Sequence, residues 1–345
     1  MKYAPSAKFS VFMLLSAAFL MVGNALAQEL ERAVPIELTG EDRVAAAALT
    51  SSRYHLLLTP QAKAKGISAD SPNVTLKSHT APASVSGFYP DDVEKQSSTG
   101  KTIATAAHHP IYINCSTPAT CWGSPATFLA NLDASTMIHV SDQYTGSTTN
   151  GRYTVGTQFT TNVTIYPGTS GVPTLGENDI LGIVHAAAKT AGIGYGHIYH
   201  VFIPKGVDTC MDEGPCYSPD NANSFVFCAY HFTVKYADLA SPVYYTVEPY
   251  QGPLAAPLLS CAIPFATPNG ALIDSTATTL LHETFETITD PDISTGYRAF
   301  YPTGNGGEVA DLCDGVLFNP LALNGHNYAV QGIYSDHYEA CVTGP

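Results

Sequence analysis

The sequence predicts an α+β fold, a mixed β-sheet flanked by helices. Two observations carry this. Segments rich in Thr, Val, Ile and aromatic residues alternate with stretches whose apolar residues recur at helical spacing. The two kinds of segment are also interleaved, as expected when helices pack onto a sheet. Residues 106–345 read as a single domain of roughly 240 residues, within the usual domain range.

Taken in order, His109 to Asn114 reads as a buried strand and Ala126 to Leu132 as a short helix. Ser135 to Tyr144 and Tyr153 to Tyr166 have strand character. Leu175 to Ala191 is the clearest helix. Ile180, Ile183, Val184, Ala187 and Ala191 follow helical spacing, and Gly192 and Gly194 can end it. His197 to Pro204, Ser224 to Val234 and Val243 to Pro249 read as three more strands. A second helix starts at Asp274 or Ser275, either of which can cap it. Ala277, Leu281, Phe285 and Ile288 form its apolar stripe, and Asp290-Pro291 stops it. His185, His197 and His200 lie inside these elements and read as structural or surface histidines.

Ahead of the domain come two other regions. Lys2 and Lys8, the apolar run Val11 to Val22 and the small residues around Ala25-Leu26-Ala27 predict a signal peptide over 1–27, cut before Gln28. The apolar run is shorter than the roughly 20 residues a membrane span needs. Residues 28–105 read as a leader or pro-segment, partly disordered. Periodic pieces such as Glu41 to Leu49 are short, and Ser84 to Thr102 has little to bury beyond Val85, Phe88, Tyr89 and Val93.

The mature chain is expected to be secreted or periplasmic, without a membrane span. Loss of Lys2 and Lys8 takes its formal charge from −14 to −16. That excess of acid excludes nucleic acid as a partner. All eight cysteines fall in the mature part, as suits disulfides in an exported protein. Eight cysteines allow on the order of a hundred pairings. Spacing favours Cys115–Cys121 and Cys210–Cys216 as local loops, with Cys228–Cys261 and Cys313–Cys341 as longer links. The sequons at Asn73, Asn114 and Asn162 matter only in a host that glycosylates them. No Gly-x-Ser-x-Gly is present for a serine hydrolase.

The stretch that carries chemistry is His282-Glu283-Thr284-Phe285-Glu286 on the second helix. Residues four apart project from one helix face, so His282 and Glu286 can grip one cation. The pattern is similar to the His-Glu-x-x-His of zinc peptidases, with Glu286 in place of the second histidine. By that likeness Glu283 is the catalytic base and takes a proton from a water the ion activates. A carboxylate ligand hardens the site, which keeps zinc as the leading divalent metal while admitting manganese or calcium. Glu308 follows Glu286 by 22 positions. In one zincin subgroup a glutamate at such a distance is the third ligand, and an acid shortly after it braces the first histidine. By that likeness Glu308 ligates and Asp311 holds the other ring nitrogen of His282.

These residues resemble a known family, the phosphate-induced or EXORDIUM-like secreted proteins of plants. The shared pieces are His282 to Glu286, Thr289-Asp290-Pro291 and Glu308-Val309-Ala310-Asp311-Leu312-Cys313. In the same order as in that family come Tyr199 to Phe202, Phe227-Cys228-Ala229-Tyr230-His231, Cys261 to Phe265, Gly325 to Tyr328 and Cys341. The likeness covers residues 107–343. It implies an extracellular, wall-associated protein on a zincin-like scaffold, and no firm reaction. It also singles out His231 as a further ligand or hydrogen-bond donor. The N-terminal leader and the short glycine loop before Glu308 depart from the family pattern.

Two functions follow. One is a metal-dependent hydrolase, a metallopeptidase acting on a peptide or protein substrate, with His282, Glu286 and Glu308 on the metal. The other is a non-catalytic extracellular or cell-wall-associated protein that binds a glycan or surface partner, to which 20 tyrosines offer stacking faces.

Overall fold

Eight strands make up the main sheet of the computed structural model, which describes residues 32–72, 92–221, 223–251, 261–299 and 307–345. They are β1 (Ala33–Pro35), β2 (Leu49–Leu58), β3 (Ala106–Ile113), β4 (Tyr153–Val155), β5 (Gln158–Thr161), β6 (His197–Phe202), β7 (Phe227–Tyr236) and β8 (Val243–Glu248). The order across the sheet is β1-β5-β3-β6-β8-β7-β2, and β4 pairs with β3 beside β5. Pairing is parallel from β1 through β8 and antiparallel at β8–β7 and β7–β2. The expected mixed sheet with flanking helices is therefore present. The proposed signal peptide and Asn73 lie outside the described residues.

Both faces of the sheet are covered, so its central strands are buried on both sides. Helices α1 (Gly40–Ala47) and α3 (Glu177–Ala191) cover one face, where Ile180 and Val184 meet Tyr199, Val201, Tyr230, Phe232 and Leu56. Helices α2 (Pro125–Asp133) and α4 (Ala271–Thr289) cover the other, where Phe128, Leu281 and Phe285 meet Tyr112, Ile198 and Tyr244. Because side chains alternate along a strand, the residues between the first set point toward α4. Those residues are unusually polar. His55 pairs with His231, His231 with Thr246, and Thr246 with His200, giving a polar row across four strands.

Several expectations are corrected. Ser135 to Tyr144 is not a strand. A 3₁₀ turn over Met137–Ser141 runs into a short helix, Asp142–Thr145. Met137, Val140 and Tyr144 are buried at helical spacing, and the Ser135 and Ser141 hydroxyls bond local carbonyls in place of a ladder. Tyr153 to Tyr166 is split into β4 and β5, which pair with successive halves of β3. Pro110 falls where β3 changes partner and no ladder donor is required. Helix α4 begins at Ala271, and Asp274 lies within its first turn, accepting from Asn269 and the Ala329 amide. The largest change concerns residues 28–105. The described part is not a tether outside the domain, since β1, α1 and β2 are integral to the sheet and Leu56 and Leu58 are in its core.

The four disulfides are Cys115–Cys121, Cys210–Cys216, Cys228–Cys261 and Cys313–Cys341, as spacing favoured. They are consistent with an oxidising compartment. Among the described residues no helix is long and apolar enough to cross a membrane.

Candidate metal centre

Helix α4 lies with its stripe of Ala277, Leu281, Phe285 and Ile288 in the core, and it sets His282, Glu283 and Glu286 over the polar row of the sheet. The expected pair is formed, with His282 Nε2 3.1 Å from Glu286 Oε1. Glu308, beyond α4 in the chain, lies on the opposite side of the His231 ring from Glu286. One ligand atom from each of His231, Glu286 and Glu308 lies within 4.8 Å of the other two. All of these side chains are at most 1% exposed.

Two further groupings of histidine and acid lie alongside, His55 with Glu286 and Asp311, and His55 with Asp70 and Glu308. Neither is free for a cation. His55 already uses both ring nitrogens, Nδ1 on Asp70 at 2.8 Å and Nε2 on Asp311 at 2.9 Å. The second grouping also holds a cation of its own, the guanidinium of Arg298. Its Nη1 is 2.9 Å from Asp70, its Nε 2.9 Å from Asp290, and its Nη2 bonds Glu308 Oε1. Burial opposes that charge, but Glu308, Asp70 and Asp290 outweigh it and hold Arg298 protonated. Burial likewise opposes the charge on Asp70, yet Arg298 and His55 lower its pKa to about 2.

The His231 grouping is different. Its inward atoms form no well-directed hydrogen bond: both nitrogens of His231, Nε2 of His282 despite its 3.1 Å ion-pair contact with Glu286, both oxygens of Glu283, Oε2 of Glu286 and Oε2 of Glu308. A buried polar atom left unpaired costs about 1–3 kcal/mol, so a cation that engaged several of these atoms would be stabilising, although only one of the two His231 nitrogens can reach a given ion. Ligands about 2.0–2.2 Å from one tetrahedral ion lie roughly 3.3–3.6 Å apart. His231 Nδ1 stands 3.5 Å from Glu286 Oε2 and 3.4 Å from Glu283 Oε2, while Glu308 Oε2 lies 3.7 Å from the other ring nitrogen, Nε2. A divalent cation fits this donor set.

The charges in the centre are strongly coupled. Burial disfavours the imidazolium of His282, but contact with Glu286 and the nearby Asp311 raise its pKa. In His231 burial wins over Glu286 and the pKa is lowered, leaving a neutral ring suited to ligation. Burial works to raise Glu286 as well, yet His282 and His231 pull it well below the ordinary range. Burial, Glu286 and Glu248 all push Glu283 well above it.

One assigned role is corrected. Asp311 Oδ1 lies 3.7 Å from His282 Nε2, the nitrogen that faces Glu286, and does not reach the second nitrogen. That nitrogen, Nδ1, is 3.2 Å from Gln331 Oε1, while Asp311 Oδ2 bonds His55 and also accepts the Glu308 amide. Asp311 therefore braces the sheet side of the centre. The Thr289-Asp290-Pro291 piece also has a structural role. Asp290 accepts from the amides of Ser294, Thr295 and Gly296 and from Arg298, folding the loop that delivers the guanidinium. A Cβ on Gly296 would lie 2.3 Å from the Thr289 carbonyl oxygen, so only glycine passes there.

Sequence reasoning missed His55, Asp70, Glu248, Arg298 and Gln331. Arg298 had one signal, a lone arginine in the aromatic run Tyr297 to Tyr301 between two acidic stretches. His55 had none, since it lies in a segment read as lying outside the domain. No family model matches the chain, and no curated protein or solved structure matches it.

Proposed function

We propose that this protein is an exported metal-dependent hydrolase acting on peptide or protein substrates. Its cation is held by His231, Glu286 and Glu308, with His282 beside them. The observation that carries the reading is the convergence of unpartnered buried nitrogen and carboxylate atoms at His231. Zinc suits such a histidine and carboxylate set, where it supplies a Lewis acid and lowers the pKa of a water.

The chain's own residues supply the rest. Glu283 stands at the edge of the ligand set with both oxygens unengaged, placed to accept a proton. A site built only to bind a structural ion has no use for such a carboxyl. Positive charge placed among these acids relieves the repulsion that keeps Glu283 protonated, and frees it as a base. Gln331 orients His282, and Arg298 fixes Glu308 through its other oxygen. The ordered motifs shared with phosphate-induced, EXORDIUM-like proteins support a place beside that family, and the His-Glu-x-x-Glu helix supports a zincin-like scaffold.

Elemental analysis of the purified protein is expected to find one divalent cation per chain, lost in His231→Ala. Glu283→Gln should keep the ion and lose peptide hydrolysis by at least about 10²-fold. A chain that takes up no zinc sinks the reading, and full turnover in Glu283→Gln removes the role given to that residue. Complete enclosure of the centre favours a second reading, a non-catalytic extracellular protein with a structural ion. In that case a chelator lowers the unfolding temperature and no turnover is found at any metal loading.

A further inference from the structure

The polar row on the α4 face does not stop at the metal centre. It continues through His200 to His108 and ends at Asp133, on the rim of a surface cavity of about 620 Å³ that Ser135, His139 and Tyr153 also line. Its contacts run in series, and Glu248 also takes a hydrogen bond from Thr279 on α4. His108 Nε2 is 3.5 Å from Asp133 Oδ1. His108 Nδ1 is 2.9 Å from His200 Nε2. His200 Nδ1 is 2.9 Å from Thr246 Oγ1, and Thr246 Oγ1 is 3.0 Å from Glu248 Oε1. Glu248 in turn bears on the charge of Glu283, and His282 on that of Glu248.

We propose that Asp133, His108, His200, Thr246 and Glu248 form a relay that carries one proton through the sheet, between the enclosed carboxylates beneath α4 and the cavity at Asp133. This rests on the hydrolase reading for its purpose, because an enclosed site that takes protons from water must pass them out.

The hydrogen-bond inventory permits two arrangements of the path. In the first, Asp133 is protonated and gives its hydrogen bond to His108 Nε2. His108 Nδ1–H donates to His200 Nε2, His200 Nδ1–H donates to Thr246, and Thr246 donates to a Glu248 carboxylate. In the second, Glu248 is protonated and donates to Thr246. Thr246 donates to His200 Nδ1, His200 Nε2–H donates to His108 Nδ1, and His108 Nε2–H donates to an Asp133 carboxylate. Each arrangement holds four mobile protons. Moving every bond by one place converts one into the other and transfers a single proton from end to end, with no charged imidazole left behind. Burial and the neighbouring His108 hold His200 neutral, as this requires.

The ends also have the form of a relay. His108 Nδ1, both nitrogens of His200, Thr246 Oγ1 and Glu248 Oε1 are paired, whereas the 3.5 Å approach of His108 Nε2 to Asp133 leaves that link open in this structure. A polar row that served only to fill the core would be closed at both ends. His108, His200, Thr246 and Glu248 are fully enclosed, and Asp133 alone has measurable exposure, at 8%. The path thus ends at the residue that borders the cavity, its carboxylate oxygens lying just beneath the surface.

The test uses Thr246→Val, which keeps shape and removes the hydroxyl, and Asp133→Asn at the rim. The infrared band of the Glu248 carboxyl, assigned by its loss in Glu248→Gln, is followed after transfer to heavy water on the acid side of neutrality. Exchange is expected to slow roughly 10²-fold in either variant. Proton release to a dye on adding zinc to the metal-free protein should slow in parallel, with zinc stoichiometry unchanged. Equal exchange rates in wild type and both variants overturn the relay. If wild type takes up no zinc, the hydrolase reading fails and the exchange experiment still decides the relay. Should Thr246→Val not fold, Asp133→Asn carries the comparison alone.

Discussion

Arg298 is the residue on which the electrostatics of the centre turn. It is fully buried and pairs with three carboxylates from three segments, Asp70, Asp290 and Glu308. Removing one partner of a buried ionic network leaves the others uncompensated, which costs far more than the network contributes when intact. Arg298→Met is therefore expected to lower unfolding free energy by about 3–5 kcal/mol in urea titrations, and a loss below about 1 kcal/mol would remove this role. Individual residues of the site were legible in the sequence where one helix or one short loop brings them together. His282 and Glu286 are four apart on a helix, and Glu308 follows within a short stretch. His55 and Arg298 were not legible, because the contact between them joins residues 243 positions apart. Local spacing carries no trace of such a meeting.

At the scale of elements, β2 shows why part of the fold was misread. Only Tyr54 to Leu58 of that strand is buried, and its first half, Thr50 to Arg53, is polar and more open. Its partner β7 lies far along the chain, so the pairing of Leu56 with Tyr230 leaves a short apolar run as the sole signal. Helix α3 and the stripe on α4 were legible for the opposite reason, since each repeats its apolar spacing over several turns. The 135–144 segment mixed both periods, and its serines decided it through bonds to their own backbone. With Leu56 at 0% exposure, Leu56→Ala is expected to destabilise the whole molecule by about 2–5 kcal/mol. A cost near zero in chemical denaturation would show that β2 is dispensable and would restore the leader as a separate segment.

For the molecule as a whole, the histidines between its two cores set a limit in acid. Burial lowers the pKa of His109 to about 4, with the Thr157 carbonyl opposing and His197 and His108 adding to the shift. His200 is depressed further by burial and by His108. The unfolded chain takes up these protons near 6.5, before the folded one does. The stability that His109 contributes is therefore complete above about pH 6.5 and is lost as pH falls toward 4. Each extra proton bound by the unfolded chain steepens that fall by about 1.4 kcal/mol per pH unit. Replacing His109 by Gln should flatten the fall between those values, and an unchanged slope would refute the assignment.

The Cys228–Cys261 bridge bears on the order in which the protein matures. Cys228 stands three residues before His231 on the same strand, and Cys261 leads into the segment where the Ile263 amide bonds Ser275 on α4. The bond thus ties the strand that offers the imidazole to the helix that offers Glu286. In a reducing compartment that tie is open and the two arms are joined only through the intervening chain. For the exported metal-dependent protein proposed here, oxidation would then come before loading, and the ion would be acquired from the surroundings outside the cell's reducing interior.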